Sequence, residues 1–173
     1  LPGDYVRDKD SVGSITMIAE IAAWARDNGK TLYGLLKEIY LENGFSQERL
    51  ISIVRKGKSG ADEIKAMMAK FRNQPPLQLG GSDVTVLKDY LALKATNPNT
   101  GVSEPLNQPA TSDVLQFFTE DGSKVSMRPS GTEPKIKFYF EVKVKLEGPD
   151  AFEKATALAN QKIDKIVEDL GLN

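Results

Sequence analysis

An unbroken alternation of polar and apolar residues runs from Lys135 to Lys145 and constrains the fold more than any other segment. The apolar positions, which share one side of an extended chain, are Ile136, Phe138, Phe140, Val142 and Val144. A period of two predicts a β-strand with one face on a hydrophobic core. Lys137 projects with Lys135 from the opposite face, near the start of the strand, where both can add charge to an anion site. Lys143 and Lys145 are expected to be solvated.

The residues that lead into this strand, 128–135, read RPSGTEPK and have the composition of a phosphate-binding turn. Each proline disfavours helix at the residue before it, and Gly131 can take a positive φ that turns successive N–H groups into one concavity. Ser130 and Thr132 add hydroxyl donors, and Arg128 adds a planar fork suited to phosphate. An ordinary Ser-Gly turn with a surface arginine is the alternative that spacing alone leaves open.

The composition excludes several kinds of chemistry. The chain contains no histidine and no cysteine, so Ser-His-Asp catalysis, thiolate catalysis, disulfides and the usual zinc sites are excluded within it. Its 23 basic and 24 acidic side chains nearly cancel, which leaves no net attraction to nucleic acid or to an anionic membrane. No apolar run approaches membrane-spanning length and no signal-peptide pattern is present, so we expect a cytoplasmic protein. The opening LPG, without an initiator methionine, predicts a product cut from something longer.

Two helices are predicted in the N-terminal part of the chain. The first has Asp10 or Ser11 as its N-cap and ends at residues 28–29. The second begins after Thr31 and ends at residues 43–44. Its predicted buried stripe consists of Leu32, Leu35, Leu36 and Ile39. Two short helices form a poor independent core, so we expect them to pack against something else.

A basic, glycine-rich segment at residues 55–60, RKGKSG, is predicted to be a linker. A third helix follows, opened by Ser59 with Asp62 and ended by residues 74–76, QPP. Its apolar stripe consists of Ile64, Met67, Met68 and Phe71. Residues 84–93 are rich in strand formers, and residues 96–112 are predicted to be a loop without regular structure.

A hairpin is predicted where residues 114–119 and 124–128 flank the turn EDGS, and its second strand leads into the Arg128 loop. A last helix runs from Pro149 to about Leu170, with Gly171 after its end. Its sheet-facing residues are Phe152, Ala155, Ala159, Ile163, Ile166 and Leu170. These elements predict an α+β fold, an antiparallel sheet with helices packed on one side.

Residues 128–139, RPSGTEPKIKFY, resemble the phosphate-binding loop in the C-terminal domain of the α-D-phosphohexomutases, the phosphoglucomutase/phosphomannomutase superfamily. The preceding hairpin, residues 117–123, matches the approach to that loop. Residues 3–10, GDYVRDKD, resemble the stretch that follows the sugar-binding loop in the third domain of these enzymes. The resemblance covers essentially the whole chain. It implies that residues 1–50 are the helical end of an α/β domain three and that residues 51–173 are the TBP-like domain four.

The resemblance implies reversible phosphoryl transfer between the 1- and 6-hydroxyls of a hexose through a phosphoserine, with hexose 1,6-bisphosphate as intermediate and activator. Domain four would hold the phosphate that is not reacting. The residues carried over to that role are Arg128, Ser130, Gly131, Thr132 and Lys137. Lys9 matches a lysine that contacts substrate in some members, and a surface charge before a helix cap is its alternative. Glu133 receives no ligand role, because a carboxylate repels phosphate unless it turns away.

The sequence contains neither a Thr/Ser-Ala-Ser-His-Asn-Pro segment for the phosphoserine nor an Asp-Gly-Asp loop for Mg²⁺. The resemblance therefore places the catalytic residues and the Mg²⁺ ligands in missing N-terminal domains of the same protein. We expect the chain alone to be inactive, because transfer needs donor and metal together. A phosphopentomutase, a phosphoglucosamine mutase or a free-standing phosphosugar-binding module are alternatives. A nucleic-acid binder is another, against which the near-neutral charge argues.

Overall fold

A computed structural model of the chain describes residue 6, residues 9–55 and residues 57–172, without the side chains of Lys58 and Pro149. The opening LPG and most of the motif at residues 3–10 lie outside the described residues. The chain forms two compact units. One comprises the described residues up to Gly44 together with Leu146–Phe152, and the other comprises Phe45–Lys145 and the chain from Glu153 onward.

Two capped helices form most of the first unit, α1 (Ser11–Asp27) and α2 (Leu32–Asn43). The Asp10 carboxylate accepts a hydrogen bond of 2.8 Å from the N–H of Gly13, and the Thr31 hydroxyl accepts one of 3.0 Å from the N–H of Gly34. Both caps satisfy a backbone donor that the first helical turn leaves without a partner. The predicted positions of both helices are therefore confirmed.

The predicted burial of the α2 stripe is wrong within this unit. Leu36 and Ile39 are 40% and 53% exposed, and α2 has no buried residue. The aromatic contacts of the unit lie elsewhere, where the rings of Tyr33 and Tyr40 pack against Phe152. Two helices and one short segment supply too little surface to cover an apolar stripe, which agrees with the expectation that these helices do not form an independent core.

The second unit holds a sheet and two helices. In chain order the elements are β1 (Phe45–Val54), α3 (Gly57–Asn73), β2 (Gln78–Leu79), β3 (Ser82–Asp89), β4 (Lys94–Thr96), β5 (Ser103–Pro105), β6 (Leu115–Thr119), β7 (Lys124–Pro129), β8 (Lys135–Val144) and α4 (Phe152–Asp169). The first residue of α4 and the 3₁₀ turn before it, Pro149–Ala151, are counted with the first unit. Within the described residues the strand order is β1-β8-β7-β6-β3-β4-β5, every pair is antiparallel, and β2 pairs with β3.

The core lies between one face of this sheet and the helices α3 and α4. The apolar positions of β8 from Ile136 to Val142 are fully buried, as their alternation predicted, and the ring of Phe71 on α3 contacts the rings of Phe117 and Phe138. The buried residues of α4 are Ala155, Ala159, Ile163, Ile166 and Val167. The fold class is therefore α+β. The opposite face of the sheet, called the polar face here, carries mainly polar side chains and a few exposed apolar ones such as Leu50 and Val54.

Three predictions along this unit need correction. The prediction of a linker at residues 55–60 is wrong, because α3 already begins at Gly57. Strand β1 was not predicted, since Arg49 and Gln47 occupy its core-facing positions and hide the alternation. Residues 96–112 are not wholly irregular, because β4 ends and β5 lies within them. Strand β1 is held by β8, a partner distant in sequence that local composition does not report. Strands β4 and β5 pair with each other across a short connection in a polar segment that contains prolines.

Helix α3 is tied to the sheet by Arg72 near its C-terminal end. Its guanidinium donates to Asp89 at 2.8 Å and to Asp113 at 2.7 Å. Burial lowers the pKa of Arg72, but the hydrogen bonds to Asp113 and Asp89 outweigh that effect and raise the pKa overall. The half-buried guanidinium thus stays charged and holds α3 across the ends of β3 and β6.

Candidate phosphate-binding site

The loop between β7 and β8 has a rigid base. Arg128 pairs with Lys137 across the two strands, and the N–H of Ser130 donates to the carbonyl of Lys135 at 2.8 Å. The N–H of Lys135 in turn donates to the carbonyl of Glu133 at 2.8 Å. Five residues, 130–134, therefore connect two strands that remain paired up to the loop. The paired strands on both sides limit how far the short loop can move.

A second support comes from the corner between β1 and α3. The N–H of Arg55 donates to the carbonyl of Pro134 at 2.9 Å, which continues the pairing of β1 with β8 into the loop. Gly60 makes this corner possible. A Cβ at Gly60 would lie 2.6 Å from the Cβ and 2.7 Å from the carbonyl carbon of Arg55. Only glycine allows α3 to pass so close to the backbone that supports the loop.

Two backbone donors of the loop converge on one point. The N–H groups of Thr132 and Glu133 donate to the hydroxyl oxygen of Ser130 at 3.4 and 3.3 Å. Successive N–H groups directed into one concavity form an anion-binding nest, and the long distances leave these donors weakly satisfied. In this loop the Ser130 oxygen takes the position of an anion.

The prediction that Gly131 uses a positive φ is wrong. Gly131 is absent from the described glycines with φ in the left-handed region, and a Cβ there would meet no atom within 4 Å. The side chain of Ser130 gathers the backbone donors instead, so the turn needs no left-handed residue. What Gly131 contributes is open space beside the donors, into which a ligand atom can approach the backbone.

The charged groups of the loop differ in whether they have partners. The side chain of Arg128 is exposed, and its guanidinium makes no hydrogen bond or ion pair with any residue in the described part of the chain. Lys135 forms an ion pair with Glu133. The hydrogen bond and the charge of Lys135, together with the charge of Lys137, lower the pKa of Glu133. Glu133 thus turns toward a cation of its own loop, and Arg128 stays available for an external anion.

Two concave surfaces flank the loop. One, of about 400 Å³, lies on the polar face of the sheet and is lined by residues 128–133 with Lys135, Lys137 and Tyr139. The other, of about 580 Å³, lies toward α3 and includes Lys65 and Asp113. The first surface gathers all five residues predicted to bind phosphate, and its basic side chains outnumber Glu133. We take it as the candidate phosphate site.

Lys9 does not belong to the same compact unit as these five residues. Lys9 belongs to the first unit, where it is exposed and directly precedes the Asp10 cap of α1. Arg55 was missed as part of the site, because its role is a backbone hydrogen bond from a strand that the sequence pattern did not predict. Sequence alternation did place Tyr139 on the face of Lys137, and the structure adds it to the lining of the site.

Neither a metal site nor a membrane span emerges from the described residues. Across residues 6, 9–55 and 57–172, no three acidic side chains are placed to hold a metal ion together. Over the same residues, no helix combines the length and the apolar character needed to cross a membrane.

Comparison with known proteins places this chain in a family. The family model described as "Phosphoglucomutase/phosphomannomutase, C-terminal domain" matches residues 54–158. A phosphoglucomutase from Staphylococcus haemolyticus is 34% identical over 156 residues, which cover 90% of this chain and 27% of that protein. A phosphoglucomutase from Staphylococcus aureus is 36% identical over 139 residues, covering 80% of this chain and 25% of that protein. The chain thus spans about a quarter of the length of the curated relatives it matches.

Among solved structures, the chain is similar to parafusin, the exocytosis-sensitive phosphoprotein and phosphoglucomutase from Paramecium, in its open form. The match has a TM-score of 0.49 and 19% sequence identity, and it covers 96% of this chain and 29% of that chain.

Proposed function

Because the chain belongs to the phosphoglucomutase/phosphomannomutase family through its C-terminal domain, we propose that the loop between β7 and β8 holds the non-reacting phosphate of a phosphosugar. The residues assigned to this role are Arg128, Ser130, Gly131, Thr132 and Lys137. The observation that carries the proposal is the convergence of two backbone N–H groups on Ser130, next to an arginine without a partner among the described residues. A phosphate oxygen in that concavity would accept from the backbone and from Arg128 together.

The full reaction belongs to the longer protein that we propose this chain comes from. There, a hexose 1-phosphate and a hexose 6-phosphate interconvert through a phosphoserine, with hexose 1,6-bisphosphate as the intermediate. Mg²⁺ would neutralise charge on the transferring phosphoryl group, and its ligands would lie outside this chain. This proposal rests on relatives about four times as long as the chain, and it includes a cytoplasmic location.

The domain assignment is part of the same proposal. Residues 1–50 would be the helical end of domain three and residues 51–173 would be domain four. The sheet of the second unit begins at Phe45, so β1 straddles this predicted boundary. Lys9 would be a substrate contact from the domain-three side. A phosphopentomutase or a phosphoglucosamine mutase would use the same loop, because the loop binds the phosphate and not the distinguishing part of the sugar.

The test is a chemical-shift titration of the 173-residue chain with glucose 1,6-bisphosphate and with inorganic phosphate. We expect shifts centred on residues 130–132, and we expect Arg128→Ala to abolish them, because the charge-assisted hydrogen bonds of the guanidinium are lost. Arg26→Ala is the matched control, since Arg26 is an exposed arginine on α1. The proposal would be contradicted if neither ligand changed the chemical shifts of the loop, or if the shift changes persisted in Arg128→Ala.

A further inference from the structure

The polar face of the sheet continues the candidate phosphate site beyond the loop. Strand register places Ser52, Lys137 and Arg128 side by side on β1, β8 and β7. Two residues further along each strand, the next row on the same face consists of Leu50, Tyr139, Ser126 and Gln116. The rows are about 7 Å apart, the rise of two strand residues. A ligand whose phosphate lies at the first row can reach the second with the rest of its body.

The second row carries hydroxyl groups that are ready to bind. The Tyr90 hydroxyl donates to the Gln116 side-chain oxygen at 2.8 Å, and the Gln116 amide nitrogen donates to the Ser126 hydroxyl oxygen at 3.0 Å. This chain orients Ser126, whose own proton has no acceptor among the described residues. Tyr139 is 40% exposed, and its hydroxyl likewise has no hydrogen-bond partner in the described part of the chain.

The surface around these hydroxyls is concave. A hollow of about 370 Å³ is lined by Ser126 and Tyr139 together with Glu48, Lys124 and Glu141. Tyr139 also lines the candidate phosphate site, so the two concave surfaces meet at its ring. Lys124 and Glu141 form an ion pair with each other. The other two charged residues of the lining, Glu48 and Arg49, are opposite in sign, so little net charge is left at this end of the face. The hollow therefore suits an uncharged, hydroxyl-bearing group.

We propose that Ser126 and Tyr139 form a second subsite that hydrogen-bonds the hydroxyl groups of a phosphorylated sugar or polyol whose phosphate lies on the Arg128 loop. The proposal rests on the proposed function, because the loop must hold the phosphate for the ligand body to reach the second row. Gln116 and Tyr90 act as positioning residues, since they hold the Ser126 oxygen by the hydrogen-bond chain. The ligand class is a monophosphate ester with free hydroxyl groups.

The test compares inorganic phosphate with glucose 6-phosphate as probes in chemical-shift titrations of the 173-residue chain. We expect glucose 6-phosphate to bind more tightly than inorganic phosphate, by about two- to tenfold for each added hydrogen bond. Ser126→Ala is expected to lower this preference and to keep its affinity for inorganic phosphate, because Ser126 does not line the phosphate site. Tyr139→Phe is expected to lower the preference as well. Ser103→Ala is the matched control, since it removes the hydroxyl group of an exposed serine on β5.

The outcomes separate the subsite from the loop. If inorganic phosphate binds in an Arg128-dependent way but glucose 6-phosphate binds no more tightly, the subsite is overturned and the proposed function stands. The same holds if Ser126→Ala and Tyr139→Phe both keep the full preference. If neither probe binds the wild-type chain, both proposals are overturned. Loss of inorganic phosphate binding in Ser126→Ala would also contradict the subsite, because the Ser126 hydroxyl would then act on the phosphate itself.

Discussion

At the scale of single residues, the loop contains a carboxylate side chain, that of Glu133. Glu133 carries a negative charge beside the donors that would bind phosphate, and it pairs with Lys135. Lys135 and Lys137 lower the pKa of Glu133, so its carboxyl group is ionised over the whole neutral range. An incoming phosphate therefore meets a lysine that is already paired, and Glu133 competes with it for positive charge.

Replacing Glu133 by Gln is therefore expected to tighten anion binding by about two- to fivefold at pH 7, since the exposed charge is removed without changing the shape of the side chain. Sulfate is the probe, because it does not titrate between pH 3 and 8. A lowered pKa means that the wild-type carboxylate is protonated only below its ordinary range. The advantage of the variant should thus persist from neutral pH down to the ordinary glutamate range and shrink only below it.

Asp164→Asn serves as the control for this substitution, because Asp164 is an exposed carboxylate paired with Arg49 on the helix-covered side of the sheet. Equal or weaker sulfate binding by the Glu133 variant would contradict the competition between Glu133 and the ligand.

At the scale of elements, the loop depends on the corner between β1 and α3. The hydrogen bond from Arg55 to Pro134 connects that corner to the loop, and Gly60 lets the helix pass against Arg55. The other end of α3 is held by Arg72 through Asp89 and Asp113. Helix α3 is thus fixed at both ends, and one of its ends supports the candidate site.

Gly60→Ala should lower the free energy of unfolding by about 1–3 kcal/mol, because the new methyl group overlaps the backbone of Arg55. Phosphate affinity should fall in the same variant, since moving Arg55 disturbs its hydrogen bond to the loop. Urea unfolding and the phosphate titration measure the two effects. Gly148→Ala is the control, as a Cβ at Gly148 would meet no atom within 4 Å. Unchanged stability of the Gly60 variant would contradict the close approach seen at this corner.

At the scale of the whole molecule, the chain carries a candidate phosphate site, and its described residues include no group of acidic side chains placed to hold a metal ion together. We expect the purified 173-residue chain to convert no glucose 1-phosphate to glucose 6-phosphate above a protein-free blank, because phosphoryl transfer needs a donor serine and a metal ion next to the bound sugar. A coupled glucose 6-phosphate dehydrogenase assay measures this, with a full-length phosphoglucomutase as the positive control. Conversion that co-purifies with the chain would contradict the expectation.

Local sequence determined the parts of this protein whose partners are neighbours along the chain. The β6–β7 hairpin, the alternating strand β8 and the helix caps at Asp10 and Thr31 follow from turn chemistry, periodicity and capping within a few residues. The composition of the loop likewise predicted an anion site, and the structure places all five of its proposed residues on one concave surface.

Only the tertiary structure decided what depends on partners distant in sequence. Strand β1 pairs with β8 some ninety residues later, and that pairing turns a predicted linker into the corner that supports the loop. The conformation of Gly131 depended on the Ser130 hydroxyl oxygen, which accepts hydrogen bonds from the next backbone N–H groups of the loop. The exposure of the α2 stripe depended on how little surface its own unit supplies to cover it. Such pairings are stabilised by burial and hydrogen bonds that form only when the chain folds back, so no local pattern encodes them.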